Sequence, residues 1–233
     1  MAFLFKKKYA EQHPNVWVMN PNSHPKVLYS LRIIKNILIR YTDKNKRIFL
    51  ITSAERKVGV STIAFNLSLT CGWDLPEYRI LLIDANISSP SLYKSFNINN
   101  SPGFVDYLYS KASLKDIIYK SCLNNFELMP IGEKYDYLPS PFTGLIFIEF
   151  IEYIKNKYDI IFIDSEPLLN SAYTQSILPI IDGGVIIVAE AGKTRFEDMK
   201  NIYLQFQSYN INIVGTVLNK HKDIIPKFIQ RYL

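Results

Sequence analysis

The sequence predicts an α/β protein built on a mostly parallel sheet with helices on both faces. Three observations predict it. Six short apolar runs of strand type recur along the chain, and they read as continuous apolar stretches rather than alternations, which implies burial on both faces. Most of these runs are separated by stretches with helical spacing. The first run is followed at once by SAERKVGVST (53–62), a loop that leads straight into an apolar helix, where a phosphate-binding loop belongs.

Taken in order, residues 1–25 lack periodicity and contain Pro14, Pro21 and Pro25, so they read as an extended N-terminal arm. KVLYSLRIIKNILIR (26–40) carries apolar residues at helical spacing and reads as an amphipathic helix, closed by the polar turn YTDKNK. The strand candidates are RIFLIT (47–52), RILLID (79–84), FELMPI (126–131), DIIFID (159–164), GVIIVAE (184–190) and NIVGTVLN (212–219). STIAFNLSLTCGW, LIFIEFIEYIKNK and FEDMKNIYLQFQSY supply helices between them. There is no internal repeat and no linker, so residues 26–233 read as a single domain with a substantial core.

Composition narrows the function classes. Hydrophobic residues make up 48% and charged residues 21%, the balance of an ordinary soluble protein. No apolar run approaches the roughly 18–20 residues of a membrane span, and MAFLF is too short for a signal-peptide core, so the expectation is a cytoplasmic protein. Cys71 and Cys122 are too few for a disulfide framework or a metal site, and His13, His24 and His221 are scattered. The net charge of +6 could favour an anionic partner. Lys6, Lys7 and Lys8 beside Phe3, Leu4 and Phe5 read either as a solvated tail or as a weak membrane contact. No nucleic-acid motif appears, so no nucleic-acid partner is expected.

Three strand ends carry chemistry, and in a parallel sheet ligands bind at the carboxyl ends of strands. A phosphate loop works because backbone N–H groups converge on the anion, glycines let the chain curl close, a lysine reaches the outer phosphates and a hydroxyl holds magnesium. Its spacing is a small residue, four others, then Gly-Lys-Ser/Thr. Here that frame reads Ala54, four residues, Gly59, Val60, Ser61, Thr62. The magnesium-type hydroxyl is present in Ser61, and the lysine is not. Asp84 and Asp164 end two apolar strands, where a charge is costly unless hydrated, paired or metal-bound. Each alone could simply cap the next helix or turn. Two of them near such a loop form an arrangement suited to magnesium and its water shell.

On these residues the chain resembles the cytoplasmic domain of bacterial tyrosine kinases of capsule and exopolysaccharide synthesis, relatives of the MinD and ParA ATPases. The resemblance runs from about Lys26 to Lys220 and is carried by FLITSAERKVGVSTIAFNLSLT, RILLIDANISSPSLYKSFNINNSPGFVDYL, YDIIFIDSEP, GGVIIVAEAGKTR and IVGTVLNK. It implies a P-loop NTPase-like fold, with Walker A in the first stretch, Walker A′ in the second and Walker B in DIIFID. It further implies ATP and magnesium as cofactors. The nucleotide would be bound by Ala54, Arg56, Lys57, Val58, Gly59, Val60, Ser61 and Thr62. Ser61, Asp84 and Asp164 would surround the metal, Asp84 and Asp164 would support catalysis, and Asn219 would lie near the adenine. For Asn219 a turn residue closing its strand is an equal reading.

The sequence departs from the family at several of these positions. Val60 replaces the Walker A lysine, Arg56-Lys57 replaces a segment usually built on glycine, and Glu55 stands where MinD and ParA relatives carry an extra lysine, a charge reversal expected to face the phosphates. Asn86 replaces a second aspartate of Walker A′ and Ser88 an arginine, while Pro90 is kept. Of a Glu-x-x-Arg-x-x-Arg pattern that helps build a ring of subunits, Lys26, Tyr29 and Arg32 retain only the last member, so self-association stays open. After Asn219 only Tyr232 stands where the family has a tyrosine-rich tail.

A charged hydrogen bond to phosphate contributes about 1.5–3 kcal/mol net, so loss of the lysine should weaken nucleotide binding by roughly one to two powers of ten. Phosphoryl transfer should suffer more, because charge grows at the leaving phosphate. The expectation is a degenerate kinase with weak or lost ATP binding, held at the inner face of the cell membrane by a membrane-anchored polysaccharide co-polymerase or chain-length regulator. An active kinase or ATPase using Arg56 or Lys57, and a MinD-like positioning ATPase, are the alternatives.

Overall fold

The computed structural model describes residues 24–42, 47–121, 123–133 and 144–221. Most of the extended arm, Cys122 and Tyr232 lie outside the described residues. The first helix, α1 (Pro25–Tyr41), begins one residue earlier than its periodicity suggests. Proline opens it because the first turn has no use for that N–H and needs the fixed φ.

A seven-stranded sheet follows. It is built from β1 (Ile48–Ser53), β2 (Ile80–Ala85), β3 (Tyr119–Lys120), β4 (Phe126–Met129), β5 (Ile160–Ser165), β6 (Gly184–Glu190) and β7 (Ile213–Asn219), in the order β3-β4-β2-β5-β1-β6-β7. Every pairing is parallel except β3 with β4. The six expected strands are all present. β4 stops at Met129 rather than 131 because Pro130 has no N–H to continue the ladder, and its carbonyl instead accepts from Phe104 N at 2.8 Å. β3, two residues long, carried no apolar run to announce it.

The continuous apolar strands are explained by burial: every residue of β1, β2 and β5 is buried. Two apolar clusters cover the two faces. On one, Leu31 and Leu38 of α1 join Phe65, Leu67 and Cys71 of α2 (Val60–Asp74), with Leu92 and Phe96 of the short α3 (Leu92–Phe96). On the other, Phe104 and Leu108 of α4 (Phe104–Leu108) and Ile117 of α5 (Leu114–Ile117) meet Phe150 and Ile154 of α6 (Leu145–Lys157). Ile202 and Phe206 of the later helix over Phe196–Ser208 complete that face. α7 (Ala172–Ser176) connects β5 to β6, and the helix over Phe196–Ser208 is α8. The helices longer than ten residues match the sequence pattern closely. The short α3, α4, α5 and α7 span too little chain for a 3.6-residue repeat to show.

α1 is fastened to α2 by charge as well as packing. Arg32 Nε and Nη2 each donate to Asp74 at 2.9 Å, and Lys35 Nζ donates at 2.7 Å. Arg32, the retained member of the ring pattern, is therefore engaged within its own chain, while Tyr29 is exposed. The Arg32 hydrogen bonds, then Lys35, hold the Asp74 carboxyl below its ordinary range against a smaller opposing effect of burial. A depressed carboxyl pKa stabilises the fold above the unfolded value near 3.9, and this is lost as pH falls through the folded value. Asp74→Asn is expected to lower the urea unfolding free energy by about 1–2 kcal/mol at pH 7, because Lys35 is left buried beside an uncharged partner. The difference from wild type should close as the pH falls through the depressed Asp74 value, below the ordinary carboxylate range.

Candidate functional site

The site lies along the carboxyl edge of the sheet. β1 ends at Ser53, and the chain then turns through residues 54–59 into α2. Two residues in this turn have left-handed backbone, Lys57 (φ 66) and Gly59 (φ 99). For Gly59 the requirement is doubled. A Cβ there would lie 2.3 Å from Asn219 Nδ2, so both backbone and space demand glycine. At Lys57 the loop keeps a glycine-type conformation although its side chain resists it, a strain of about 1–2 kcal/mol. Here the glycine-type shape stays, and the residue that replaces glycine is strained.

The structure brings the Walker-type residues together. Ala54, Val58 and Val60 are buried, Gly59, Ser61 and Thr62 are half-buried, and Arg56 and Lys57 are exposed. Val60 packs with the apolar cluster beneath α2, so no charge stands at the position of the missing lysine. The parallel register sets Asp84 opposite Asp164 at the ends of β2 and β5, and both carboxylates are fully buried.

The two aspartates differ in partnership. Asp84 accepts from the backbone N–H of Asn86 at 3.0 Å, Ser91 at 3.4 Å and Leu92 at 3.3 Å. It holds the A′ loop against the start of α3, the capping role that its sequence position also allowed. Among the described residues, only the Ser61 hydroxyl approaches the Asp164 carboxyl, and neither oxygen accepts a well-formed hydrogen bond. Burial pushes the Asp84 carboxyl up to about 6, against the opposing effect of its three backbone donors. Burial, and then the neighbouring Asp84, push Asp164 well above its ordinary value, while the nearby Ser61 hydroxyl favours its charged form slightly. A buried carboxylate this sparsely bonded, beside a serine hydroxyl at the start of α2, fits a hydrated magnesium ion, so Ser61 and Asp164 would be the residues to hold it, with Asp84 behind them. The phosphate half of the site fits less well, because Val60 offers no donor.

Glu166 at this edge was not singled out in the sequence. Glu166, just beyond β5 and buried, accepts from Ser88 N at 2.5 Å and ties Walker B to the A′ loop. Its signal was an acid directly following the strand-terminal Asp164-Ser165. Arg56 reaches toward the same loop, its Nη2 3.5 Å from Ser88 Oγ. Glu55 does not face the phosphate position as expected. Its carboxylate accepts from Thr194 Oγ1 at 2.7 Å and pairs with Lys193 Nζ at 3.2 Å, in the loop after β6. A hydroxyl and an ammonium there satisfy a half-buried carboxylate that the open loop would leave without partners. Asn219 ends β7, and its Nδ2 donates to Val58 O at 2.8 Å, tying that strand end to the loop.

A parallel sheet of this order, with a glycine-hinged turn between β1 and α2 and carboxylates at the ends of the two strands on one side, defines a P-loop protein. The sequence model of the AAA domain matches residues 47–213, and the chain belongs to that family. Among curated proteins it is 26% identical over 195 residues to the tyrosine-protein kinase CpsD of Streptococcus agalactiae, covering 82% of each. It is 25% identical over 226 residues to the tyrosine-protein kinase YwqD of Bacillus subtilis, covering 94% of this chain and 91% of the relative. The kinase domain of the Escherichia coli tyrosine kinase ETK superposes with a TM-score of 0.77 at 18% identity, over 97% of this chain and 89% of that one. The septum site-determining protein MinD of Pyrococcus horikoshii, solved with Mg-ADP, superposes with a TM-score of 0.63 at 22% identity, over 80% of this chain and 76% of that one. At these identities the structural likenesses establish the P-loop fold.

Because both buried aspartates bind protons more tightly folded than unfolded, they make stability fall as pH rises from the unfolded value near 4, through about 6 for Asp84 and through the raised value of Asp164. Asp164→Asn should therefore raise the melting temperature at pH 8, with the gain shrinking at pH 4, where the wild-type carboxyl is already protonated. Thermal unfolding followed by circular dichroism at the two pH values reads this directly.

Proposed function

We propose that the chain is a degenerate tyrosine-kinase-like protein, a pseudokinase, acting in capsular or exopolysaccharide biosynthesis and export. It works with a membrane-anchored polysaccharide co-polymerase or chain-length regulator, at the inner face of the cell membrane. ATP with magnesium binds weakly or not at all, and no tyrosine is phosphorylated. The observation that carries this reading is Val60, packed in an apolar cluster at the one place where the loop needs a cation. The names of the curated relatives support the kinase ancestry.

The rest of the constellation supports the same reading. The hydroxyl of Ser61 and the carboxylate of Asp164 keep a place for magnesium, whose chemistry would be to shield phosphate charge. Without a lysine, nothing in the turn offsets the charge that develops on a leaving diphosphate. Arg56 is turned toward Ser88 and Lys57 is exposed, so neither stands in the lysine's place.

Purified protein incubated with radiolabelled ATP and magnesium should incorporate no phosphate. Incorporation abolished by Arg56→Met or Lys57→Met would establish the active-kinase alternative instead. Val60→Lys should tighten MgATP binding by about ten- to a hundredfold, because a lysine stem can cover the same apolar ground while its ammonium reaches the phosphates.

A further inference from the structure

Three consecutive carbonyls of the phosphate loop are held by side chains from outside it. Lys193 Nζ, in the loop after β6, lies 3.4 Å from Arg56 O. Lys220 Nζ, just past β7, donates to Lys57 O at 2.7 Å. Asn219 Nδ2 donates to Val58 O at 2.8 Å. The two ammonium groups are themselves anchored on one carboxylate: Glu190 Oε2 is 3.3 Å from Lys193 Nζ and 3.0 Å from Lys220 Nζ. Glu55 adds a second anchor to Lys193 at 3.2 Å. Burial is the largest single effect on Lys193 and lowers its pKa, but the hydrogen bonds and charges of Glu55 and Glu190 together outweigh it and raise the value, while the Lys220 hydrogen bond is the largest cause lowering Glu190.

This arrangement has a geometric consequence. In a trans peptide the N–H points opposite to the C=O of the same plane. Drawing the carbonyls of Arg56, Lys57 and Val58 toward β6 and β7 therefore aims the amides of Lys57, Val58 and Gly59 the other way. In the order β2-β5-β1-β6-β7, that is the side of β5 and β2, where Ser61, Asp164 and Asp84 lie. The left-handed backbone at Lys57 and Gly59 alternates with ordinary conformations, which is how successive amides are made to converge on an anion.

The clamp is not a substitute charge. Lys193 and Lys220 are matched by Glu55 and Glu190, and their ammonium groups sit behind the loop, on its carbonyl side. What they supply is shape. In a loop with its own lysine, that side chain and the bound phosphate help hold the turn. Here Val60 contributes only packing, and Lys57 pulls the backbone away from the left-handed region.

We propose that Lys193 and Lys220 are positioning residues that hold this loop in its phosphate-receiving shape without nucleotide and without a Walker lysine. The inference rests on reading residues 53–62 as a phosphate loop, and the test separates the two. Amide hydrogen exchange is measured on the full chain for wild type, Lys193→Met, Lys220→Met, the double variant and Lys220→Arg, alone and with magnesium pyrophosphate. Without ligand, the double variant should exchange the amides of residues 54–60 at least about tenfold faster than wild type, while β2 and β5 keep their protection and the melting temperature is unchanged. Each single variant should fall between, and Lys220→Arg should stay near wild type.

Unchanged loop exchange in the double variant overturns the proposal. So does a rise spread equally through the sheet, which would mark an ordinary loss of stability. Pyrophosphate should protect the same amides in wild type and protect them less in the double variant. If it protects neither while the ligand-free loop loosens as described, the clamp stands as a holder of loop shape, and the phosphate reading on which its purpose rests is the part that fails.

Discussion

The parallel pairing of β1 with β5 on one side and β6 on the other is the constraint on which the site depends. Parallel register puts Asp84, Asp164, Ile51 and Ile186 at one level, Ser53 and Val188 two residues further on, and Asn219 opposite Glu190 beyond them. The reactive and loop-holding groups then come from the carboxyl ends of these strands and the residues just after them. Buried on both faces, these strands have no freedom to slip, since a shift of one residue would exchange Asp164 with an apolar neighbour in the core. The helices enforce that register from both faces, so the core determines where the chemistry can be.

The edge so formed is divided. On the β5–β2 side stand buried acids, Asp164 without a well-formed hydrogen bond, Asp84 capped and Glu166 tied to the A′ loop. On the β6–β7 side stand lysines and glutamates in compensating pairs, with Asn219 against Gly59. The loop between them has left-handed backbone at Lys57 and Gly59, and Val60 at the start of α2 packs in the apolar cluster and brings no cation toward the acids. A buried carboxyl with so little hydrogen bonding costs stability. The strain at Lys57 is also a cost. Both stand on an otherwise well-packed sheet, and the proposed binding site accounts for both.

Much of this was legible in the sequence for a definite reason. Long helices and doubly buried strands declare themselves by periodicity and by uninterrupted apolar runs, so α1, α2, α6, α8 and six strands were visible. The phosphate frame was visible because its spacing is fixed by backbone geometry. The short helices and β3 were not, being shorter than the repeats that would reveal them. Side-chain direction was the other limit. Glu55 was expected to face the phosphates because of its place in the motif, yet Thr194 and Lys193, 139 and 138 positions later in the chain, turn it away. Glu166, Lys193 and Lys220 were missed for the same reason: their partners are contributed by other strands, and no local pattern encodes such a meeting.

The account rests on one chemical statement, that this loop has the shape of a nucleotide site without the charge to use it. Isothermal titration of MgATP into the purified protein tests it most directly. The predicted result is no binding heat at micromolar nucleotide; a clear isotherm with a micromolar dissociation constant would contradict it.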